Sequence, residues 1–171
     1  LEPPKQVVAH GWWTNEGQKI SKSTGNVIDP HELVDSYGLD EVRYFLFREV
    51  PFGNDGDFSR DSIKNRINGE LANNFGNLIQ SVLSFIVKIL DQNIELTDNN
   101  FKFNTFVDIL EMEKSLNKHI SDYRFDEYLK DIFVFLNSLN NYVDKQAPWA
   151  LKKTNPDLMK EVLANICICI I

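Results

Sequence analysis

The sequence is poor in cysteine and contains no cluster of residues that is typical of a metal site. Its two cysteines, Cys167 and Cys169, lie two positions apart in an apolar segment that is typical of a helix. Residues two apart on a helix point to nearly opposite faces, so this pair cannot bind one metal ion together. We therefore interpret both cysteines as structural and expect no metal site in this chain.

An excess of positive charge is also lacking. The chain has 18 lysine and arginine residues against 25 aspartate and glutamate residues, which gives a net charge of −7 and a pI near 4.9. Such a surface does not attract a phosphate backbone through bulk positive charge. Any contact with RNA must therefore depend on local charge and on shape.

Long apolar runs are absent, and no stretch approaches the roughly 20 apolar residues that a membrane-spanning helix requires. The first residues do not have the charged and then apolar layout of a signal peptide. With 43% hydrophobic and 12% aromatic residues, the chain can bury a sizeable core. We expect a globular protein of the cytoplasm.

The first 60 residues have the pattern of a small mixed α/β segment. The β-branched and aromatic run at 7–13 predicts a strand, and Asn-Glu-Gly at 15–17 predicts the turn after it. Asp-Pro-His-Glu at 29–32 predicts the start of a short helix that ends near Gly38. A second helix is predicted from about 40 to 49, because its apolar residues follow helical spacing.

Amphipathic helices fill the remainder of the sequence. An apolar stripe from Ile63 to Ile89 predicts a long helix, and a polar stretch at 91–104 separates it from a helix at 106–120. A third helix covers 125–143 and a last one opens at 155–156. Four amphipathic helices with short links form a bundle. We therefore predict a mainly α protein, with an α/β segment at 1–60 and a helical bundle at 61–171.

Two conspicuous groups of residues have a structural explanation. Asp55, Asp57 and Asp61 superficially resemble a metal site, but their spacing fits a turn followed by a helix N-terminus, where the helix dipole stabilises carboxylates. Trp12 and Trp13 are adjacent in the predicted strand, so they face opposite sides. One of the two is expected in the core and the other against a neighbouring element.

The candidate for chemistry is the loop at 19–23. Lys19 and Lys22 are three residues apart, and Ser21, Ser23 and a glycine lie close by. Compact ammonium charges on a loop that can move are suited to holding a triphosphate while negative charge develops on it. The alternative is a solvated surface loop without chemistry, and the five residues alone do not decide between the two.

The context of the loop resembles a known family. Residues 19–23 resemble the KMSKS signature of class I aminoacyl-tRNA synthetases, with Ile20 where the signature usually has methionine, and this apolar exchange should be mild. The continuation from 25 to 46 resembles the subgroup of the methionine, leucine, isoleucine, valine and cysteine enzymes. The stretches 48–59 and 146–149 resemble bacterial-type methionyl-tRNA synthetases, and the resemblance covers essentially the whole chain.

This resemblance implies part of a methionine-tRNA ligase, which activates L-methionine with ATP and Mg²⁺ and attaches it to tRNA(Met). Lys19 and Lys22 would act catalytically on the pyrophosphate side, and residues 19–23 would bind ATP. Residues 1–60 would end the Rossmann-type catalytic domain and form its stem-contact fold. Residues 61–171 would form the helical anticodon-binding domain.

The resemblance also implies an anticodon site. Trp149 matches a tryptophan that stacks on an anticodon base, and Asn77 matches an asparagine that reads a base edge. Ser81 stands where the family has an arginine, which is a multidentate donor, so the way in which that base is read stays open. The alternatives are a core tryptophan for Trp149 and a solvated helix residue for Asn77.

The sequence contains no HIGH-type motif, no recognisable methionine pocket and no zinc-binding insertion. We therefore expect an excerpt of a longer enzyme that is inactive on its own. Two other interpretations stay open: another class I synthetase of the leucine, valine, isoleucine and cysteine subgroup, or a free-standing helical tRNA-binding module. A HIGH-type motif upstream in the gene would distinguish an enzyme from a module.

Overall fold

The computed structural model describes residues 2–89 and 109–170. Their fold is mainly α, as predicted, with one small sheet. The chain divides into two compact units. Unit 1 comprises Leu1–Asn68 and Leu116–Lys130, and unit 2 comprises Gly69–Ser115 and Asp131–Ile171. The domain boundary that the sequence places at residue 60 stays a prediction.

Unit 1 contains a three-stranded sheet in the order β2-β1-β3. Strands β1 (Trp13–Asn15) and β2 (Gln18–Lys19) form an antiparallel hairpin, and β3 (Gly56–Phe58) pairs with β1 in parallel. The turn of the hairpin places Glu16 at φ 50° and Gly17 at φ 73°. Two successive positive φ values match the twist of a two-residue hairpin loop.

The predicted strand at 7–13 is wrong for all but its last residue. Pairing with β3 begins only at Trp13, opposite Gly56. Within the described residues no strand lies beside 7–12, and Val7 is 86% exposed. A β-branched run forms a strand only where a partner offers backbone hydrogen bonds.

The two predicted helices of unit 1 are confirmed as α1 (Pro30–Tyr37) and α2 (Leu39–Arg48). A side-chain oxygen of Asp29 accepts a hydrogen bond from the backbone N–H of His31 at 2.8 Å, and Pro30 occupies the first helical position. Gly38 ends α1 with φ 99°, a value that strongly favours glycine. These local signals explain why the boundaries follow from the sequence.

The core of unit 1 lies between the sheet and these helices. Phe45 is fully buried, and its ring meets Phe58 edge-on at a centroid distance of 5.8 Å. Trp13 packs against the same cluster, whereas Trp12 is 83% exposed. The prediction of one core tryptophan is therefore confirmed for Trp13, whereas the predicted packing of the other against a neighbouring element is wrong, because Trp12 lies outside the strand.

The remaining helices depart from the prediction at two places. The long helix consists of α3 (Arg60–Arg66), a π-helical segment (Ile67–Gly76) and α4 (Asn77–Ile89). Next come α5 (Ile109–Ser121) and α6 (Phe125–Gln146). Helix α7 (Pro148–Thr154), which the sequence does not predict, precedes α8 (Pro156–Ile170). Pro148 follows the end of α6 and also occupies the first position of α7, where proline is favoured. The predicted polar stretch at 91–104 and the start of the helix at 106 lie outside the described residues.

Helix α8 forms the centre of unit 2 and packs against both α4 and α7. Its buried apolar residues are Met159, Val162, Leu163 and Ile166. Buried residues of α4 (Leu78, Val82 and Ile86) and of α6 (Leu136, Leu139 and Val143) belong to the same unit. None of the helices in 2–89 and 109–170 combines the length and the apolar character that crossing a membrane requires.

The aspartates that superficially resemble a metal site accept backbone hydrogen bonds or lie at a helix start. Asp55 accepts a hydrogen bond from the backbone N–H of Trp12, and Asp57 accepts one from that of Gly17, both at 2.8 Å. Asp61 lies in the first turn of α3. These contacts agree with the structural interpretation of the three residues.

Candidate functional site

The predicted phosphate loop connects β2 to α1. Lys19 ends β2, and Lys22–Thr24 form a single turn of 3₁₀-helix that Gly25 closes at φ 70°. The backbone N–H of Gly25 donates to the carbonyl of Lys22 at 3.3 Å. A glycine is favoured here, because other residues adopt a positive φ only with strain.

Two asparagines tie the ends of this loop together. The side-chain N–H of Asn15, in β1, donates to the side-chain oxygen of Asn26 at 2.7 Å. The side-chain N–H of Asn26 donates in turn to the backbone carbonyl of Asn15 at 3.3 Å. The intervening segment is therefore a closed loop whose two ends are fixed to the sheet.

Within the loop, hydroxyl groups bond to each other and to the backbone while the lysines extend into solvent. The hydroxyls of Ser21 and Ser23 are 2.8 Å apart, and the Thr24 hydroxyl donates to the Ser21 carbonyl at 3.1 Å. Lys19 and Lys22 are exposed, and among the described residues neither has an ion-pair partner. Their ammonium groups are thus available to an anionic ligand.

A cavity of about 160 Å³ lies beside this loop. Its lining includes the carboxylates of Glu16, Asp29 and Glu32 together with Arg60. Three carboxylates make the cavity unsuited to a phosphate group. The loop lysines are the better phosphate ligands on this side of unit 1.

Trp149 lies on α7 in unit 2 and is 52% exposed. Pro148 beside it is buried, and Ala147 makes the corner between α6 and α7 with φ 42°. This exposure does not fit the alternative of a core tryptophan. About half of the side-chain surface of Trp149 is accessible to solvent.

The other two predicted anticodon residues lie at the start of α4. Asn77 and Ser81 are exposed and four positions apart, which places them on one side of the helix. The side-chain N–H of Asn77 donates to the carbonyl of Asn73 at 3.0 Å. Helices α4 and α7 both pack on α8, so these residues and Trp149 lie on two helices with a shared neighbour.

Three features near these sites escape prediction from the sequence. Lys152 and Lys153 are exposed three and four positions after Trp149, so helical spacing would have found them once α7 was recognised. The Asn15 and Asn26 pair is 11 positions apart and has no local signal. A third feature is an amide chain in unit 2, in which Asn140 donates to Asn74 at 2.9 Å and Asn74 donates to Asn137 at 2.8 Å.

This amide chain fixes the π-helical segment directly before Asn77. The segment contains Gly69, Asn73, Asn74 and Gly76, which are weak α-helix formers. Hydrogen bonds from Asn74 to α6 compensate for the wider turns. The amide hydrogen bonds therefore connect the segment before Asn77 to α6.

The two cysteines are free and half-buried on α8. Burial raises the pKa of the Cys167 thiol. The pKa of Cys169 is raised to about 12. Burial is the larger cause, and the charge of the neighbouring Cys167 thiolate is the smaller one. Both groups stay protonated near neutral pH, which agrees with a structural role.

Comparison with known proteins gives a consistent result. The profile of the family described as tRNA synthetases class I (M) matches residues 1–83. Over 167 residues the chain is 46% identical to a methionine-tRNA ligase of Rickettsia conorii. This alignment covers 94% of this chain and 32% of that protein. It is 42% identical to the ligase of Campylobacter jejuni, with 98% of this chain and 27% of that protein covered.

A solved structure agrees with the sequence matches. Methionyl-tRNA synthetase of Mycobacterium tuberculosis, bound by methionyl-adenylate, superposes with a TM-score of 0.78 at 35% identity and covers 99% of this chain and 34% of that one. The chain spans about a third of the length of the curated relatives that it matches. The chain therefore belongs to the methionyl-tRNA synthetase family of class I aminoacyl-tRNA synthetases.

Proposed function

We propose that this chain is the part of a methionine-tRNA ligase that contacts the phosphates of ATP and reads the anticodon of tRNA(Met). The observation that carries the proposal is the closed loop, in which Asn15 and Asn26 fix the ends while Lys19 and Lys22 remain exposed. The family relationship supplies the reaction. Such an enzyme acts in the cytoplasm, where translation takes place.

The chemistry proposed for the loop is stabilisation of a leaving group. When the carboxylate of methionine attacks the α-phosphate of ATP, the bond to pyrophosphate breaks and negative charge grows on the departing phosphates. Lys22, with Lys19 beside it, places positive charge where this charge develops. Ile20 is half-buried and anchors the loop between the two lysines.

Mg²⁺ would enter this reaction with the nucleotide. Within the described residues no group of three or more histidine, cysteine, aspartate or glutamate side chains is placed to hold a metal ion. Mg²⁺ is commonly held by substrate phosphates and water with few protein ligands. The role of this chain is then to contact the phosphates directly through the loop residues 19–23.

The proposed anticodon site has a stacking surface and polar groups. The exposed indole of Trp149 offers a face for one base, and Lys152 and Lys153 on the same helix bring positive charge to the neighbouring phosphates. Asn77 offers its side-chain oxygen to a base edge. Ser81 supplies one hydroxyl where the family's arginine has several donors.

The test of this proposal is methionine-dependent exchange of pyrophosphate into ATP by the full-length protein. Lys22→Ala should slow the exchange by about a hundredfold or more, because one charged contact to the transition state is lost. Lys64→Ala, which removes an exposed lysine of α3, should leave the rate unchanged. The 171-residue chain alone should show none, since it has no HIGH-type motif.

Two results would contradict the proposal. Unchanged exchange by the Lys22→Ala enzyme would remove the loop from the chemistry. Absence of exchange in the full-length protein, combined with retained tRNA binding, would favour a tRNA-binding module instead.

A further inference from the structure

The chain of three amide side chains in unit 2 ends at the surface of the protein. Asn140 donates a hydrogen bond to Asn74 at 2.9 Å, and Asn74 donates one to the side-chain oxygen of Asn137 at 2.8 Å. Asn74 and Asn140 are half-buried, whereas Asn137 is exposed. Asn137 is therefore the member of this chain that is most open to a ligand.

The hydrogen bonds of the amide chain run in one direction and leave N–H groups at its exposed end. The side-chain oxygen of Asn137 accepts from Asn74. Its Nδ2 atom donates to none of the residues in 2–89 and 109–170. An asparagine amide has two N–H donors. Asn137 thus offers both donors from a side chain whose oxygen is already held.

This exposed amide lies close to the proposed anticodon residues of α4. Asn74 belongs to the π-helical segment and precedes Asn77 by three positions. Asn77 donates to the carbonyl of Asn73, so Asn74 lies in the helical turn directly before Asn77. The hydrogen bond from Asn74 to Asn137 therefore brings Asn137 beside that turn.

The proposed site at the start of α4 has few hydrogen-bond donors of its own. Asn77 uses its side-chain N–H for a backbone carbonyl, and its oxygen is the group that it offers to a base. Ser81 has one hydroxyl where the arginine of the family has several N–H donors. The edges of unstacked RNA bases are recognised by hydrogen bonds and carry acceptor atoms as well as donors. Asn137 supplies N–H donors beside this part of α4.

We propose that Asn137 is a further anticodon-reading residue, whose Nδ2 atom donates a hydrogen bond to an acceptor on the edge of an anticodon base. This inference rests on the proposed function, since it requires the anticodon to lie against α4. Asn74 and Asn140 act as positioning residues, because they hold the amide of Asn137 before RNA binds. A side chain that is already held loses less conformational freedom on binding.

The experiment measures the affinity of the full-length protein for two tRNAs, methionine tRNA with its CAU anticodon and the same tRNA with the anticodon changed to GUA. Asn137→Asp keeps an oxygen for the N–H of Asn74 but removes both outward donors. The ratio of the affinities for the CAU and GUA forms should fall by about three- to tenfold, as expected for one lost hydrogen bond. Thermal unfolding should hardly change.

The matched control is Asn141→Asp, which places the same charge at an exposed position one helical turn further along α6. Repulsion between this charge and RNA weakens binding of both tRNAs alike, so the affinity ratio should stay the same. If Asn137→Asp does not fold, Asn137→Ala at the same exposed position should lower the ratio by the same factor. A ratio that falls equally with Asn141→Asp would refute the assignment, because charge alone would then explain the loss.

Trp149→Ala, measured with the same two tRNAs, distinguishes failure of this inference from failure of the proposed function. Weaker CAU binding by Trp149→Ala, together with an unchanged affinity ratio for Asn137→Asp, would overturn the role of Asn137 and leave the proposed function intact. Unchanged binding by both variants would overturn both.

Discussion

Asn15 and Asn26 hold the two ends of the phosphate loop together through two hydrogen bonds, at 2.7 and 3.3 Å. One partner is in a strand and the other follows the glycine that closes the loop. This pair fixes the loop ends while the lysines between them stay exposed to solvent. In the proposed function, this arrangement combines fixed loop ends with lysines that can follow a reacting phosphate.

Asn26→Ala removes both of these hydrogen bonds and should loosen the loop. In the full-length protein we expect pyrophosphate exchange to slow by roughly tenfold, because small displacements of positioned groups lower rates steeply. Thermal unfolding should change little. Asn65→Ala, at an exposed position of α3, is the control and should exchange at the normal rate. Equal rates for both variants would show that the pair does not position the lysines.

A second prediction concerns the corner between α6 and α7. Ala147 adopts φ 42° and ψ 61°, a left-handed conformation that costs a residue with a Cβ atom about 1 kcal/mol. Ala147→Gly should therefore leave the free energy of unfolding unchanged or raise it by up to about 1 kcal/mol. Ala150→Gly, within α7, should lower it by about 0.5 to 1 kcal/mol. Denaturant titration distinguishes a gain from a loss in the free energy of unfolding. A lower free energy of unfolding for both variants would contradict backbone strain at Ala147.

The raised pKa of Cys169, about 12, gives a chemical prediction. At about pH 9 an unfolded cysteine is largely thiolate, whereas Cys169 in the folded protein stays protonated. Iodoacetamide should therefore alkylate Cys169 at least about a hundredfold more slowly in the native protein than in denaturant. Because the pKa of this thiol is higher in the folded state than in the unfolded state, the protonated thiol stabilises the fold. This stabilisation is complete below about pH 8.5 and is lost as the pH rises through the folded pKa. Rapid native alkylation at pH 9 would show that the folded protein does not raise the pKa of this thiol.

Local sequence signals predict the helices of unit 1 well. Asp29, Pro30 and Gly38 each set a backbone angle or supply a hydrogen bond at a helix end, so the boundaries of α1 depend on neighbouring residues alone. The strand at 7–13 fails because strand formation depends on a partner, and β3 offers only three residues to pair with. Contacts that are distant in the sequence decided that outcome.

The candidate sites also combine features that local sequence signals predict with features that depend on distant contacts. Lys19 and Lys22 follow from a local pattern, but the hydrogen-bonded pair of Asn15 and Asn26 depends on the geometry of the hairpin. The π-helical segment before Asn77 was not predictable from apolar spacing, since it depends on the amide chain from Asn74 to α6. The sequence does not predict helix α7, because a proline at 148 is equally typical of the end of the preceding helix.

The role of Trp149 can be tested against a purely structural role in one variant. Its side chain is 52% exposed, so Trp149→Ala should cost far less stability than the roughly 3 to 5 kcal/mol of a core tryptophan. Stacking of a base on an aromatic ring contributes about 1 to 3 kcal/mol. Affinity for RNA and stability therefore change independently. Trp12→Ala is the matched control, because Trp12 is also exposed but lies in unit 1.

The most direct measurement is the affinity of full-length Trp149→Ala for methionine tRNA with a CAU anticodon, with thermal unfolding recorded on the same sample. We expect binding to weaken by about ten- to a hundredfold while the melting transition hardly moves, and we expect Trp12→Ala to bind normally. Unaltered affinity together with a sharp loss of stability would show that this helical unit does not read the anticodon through Trp149.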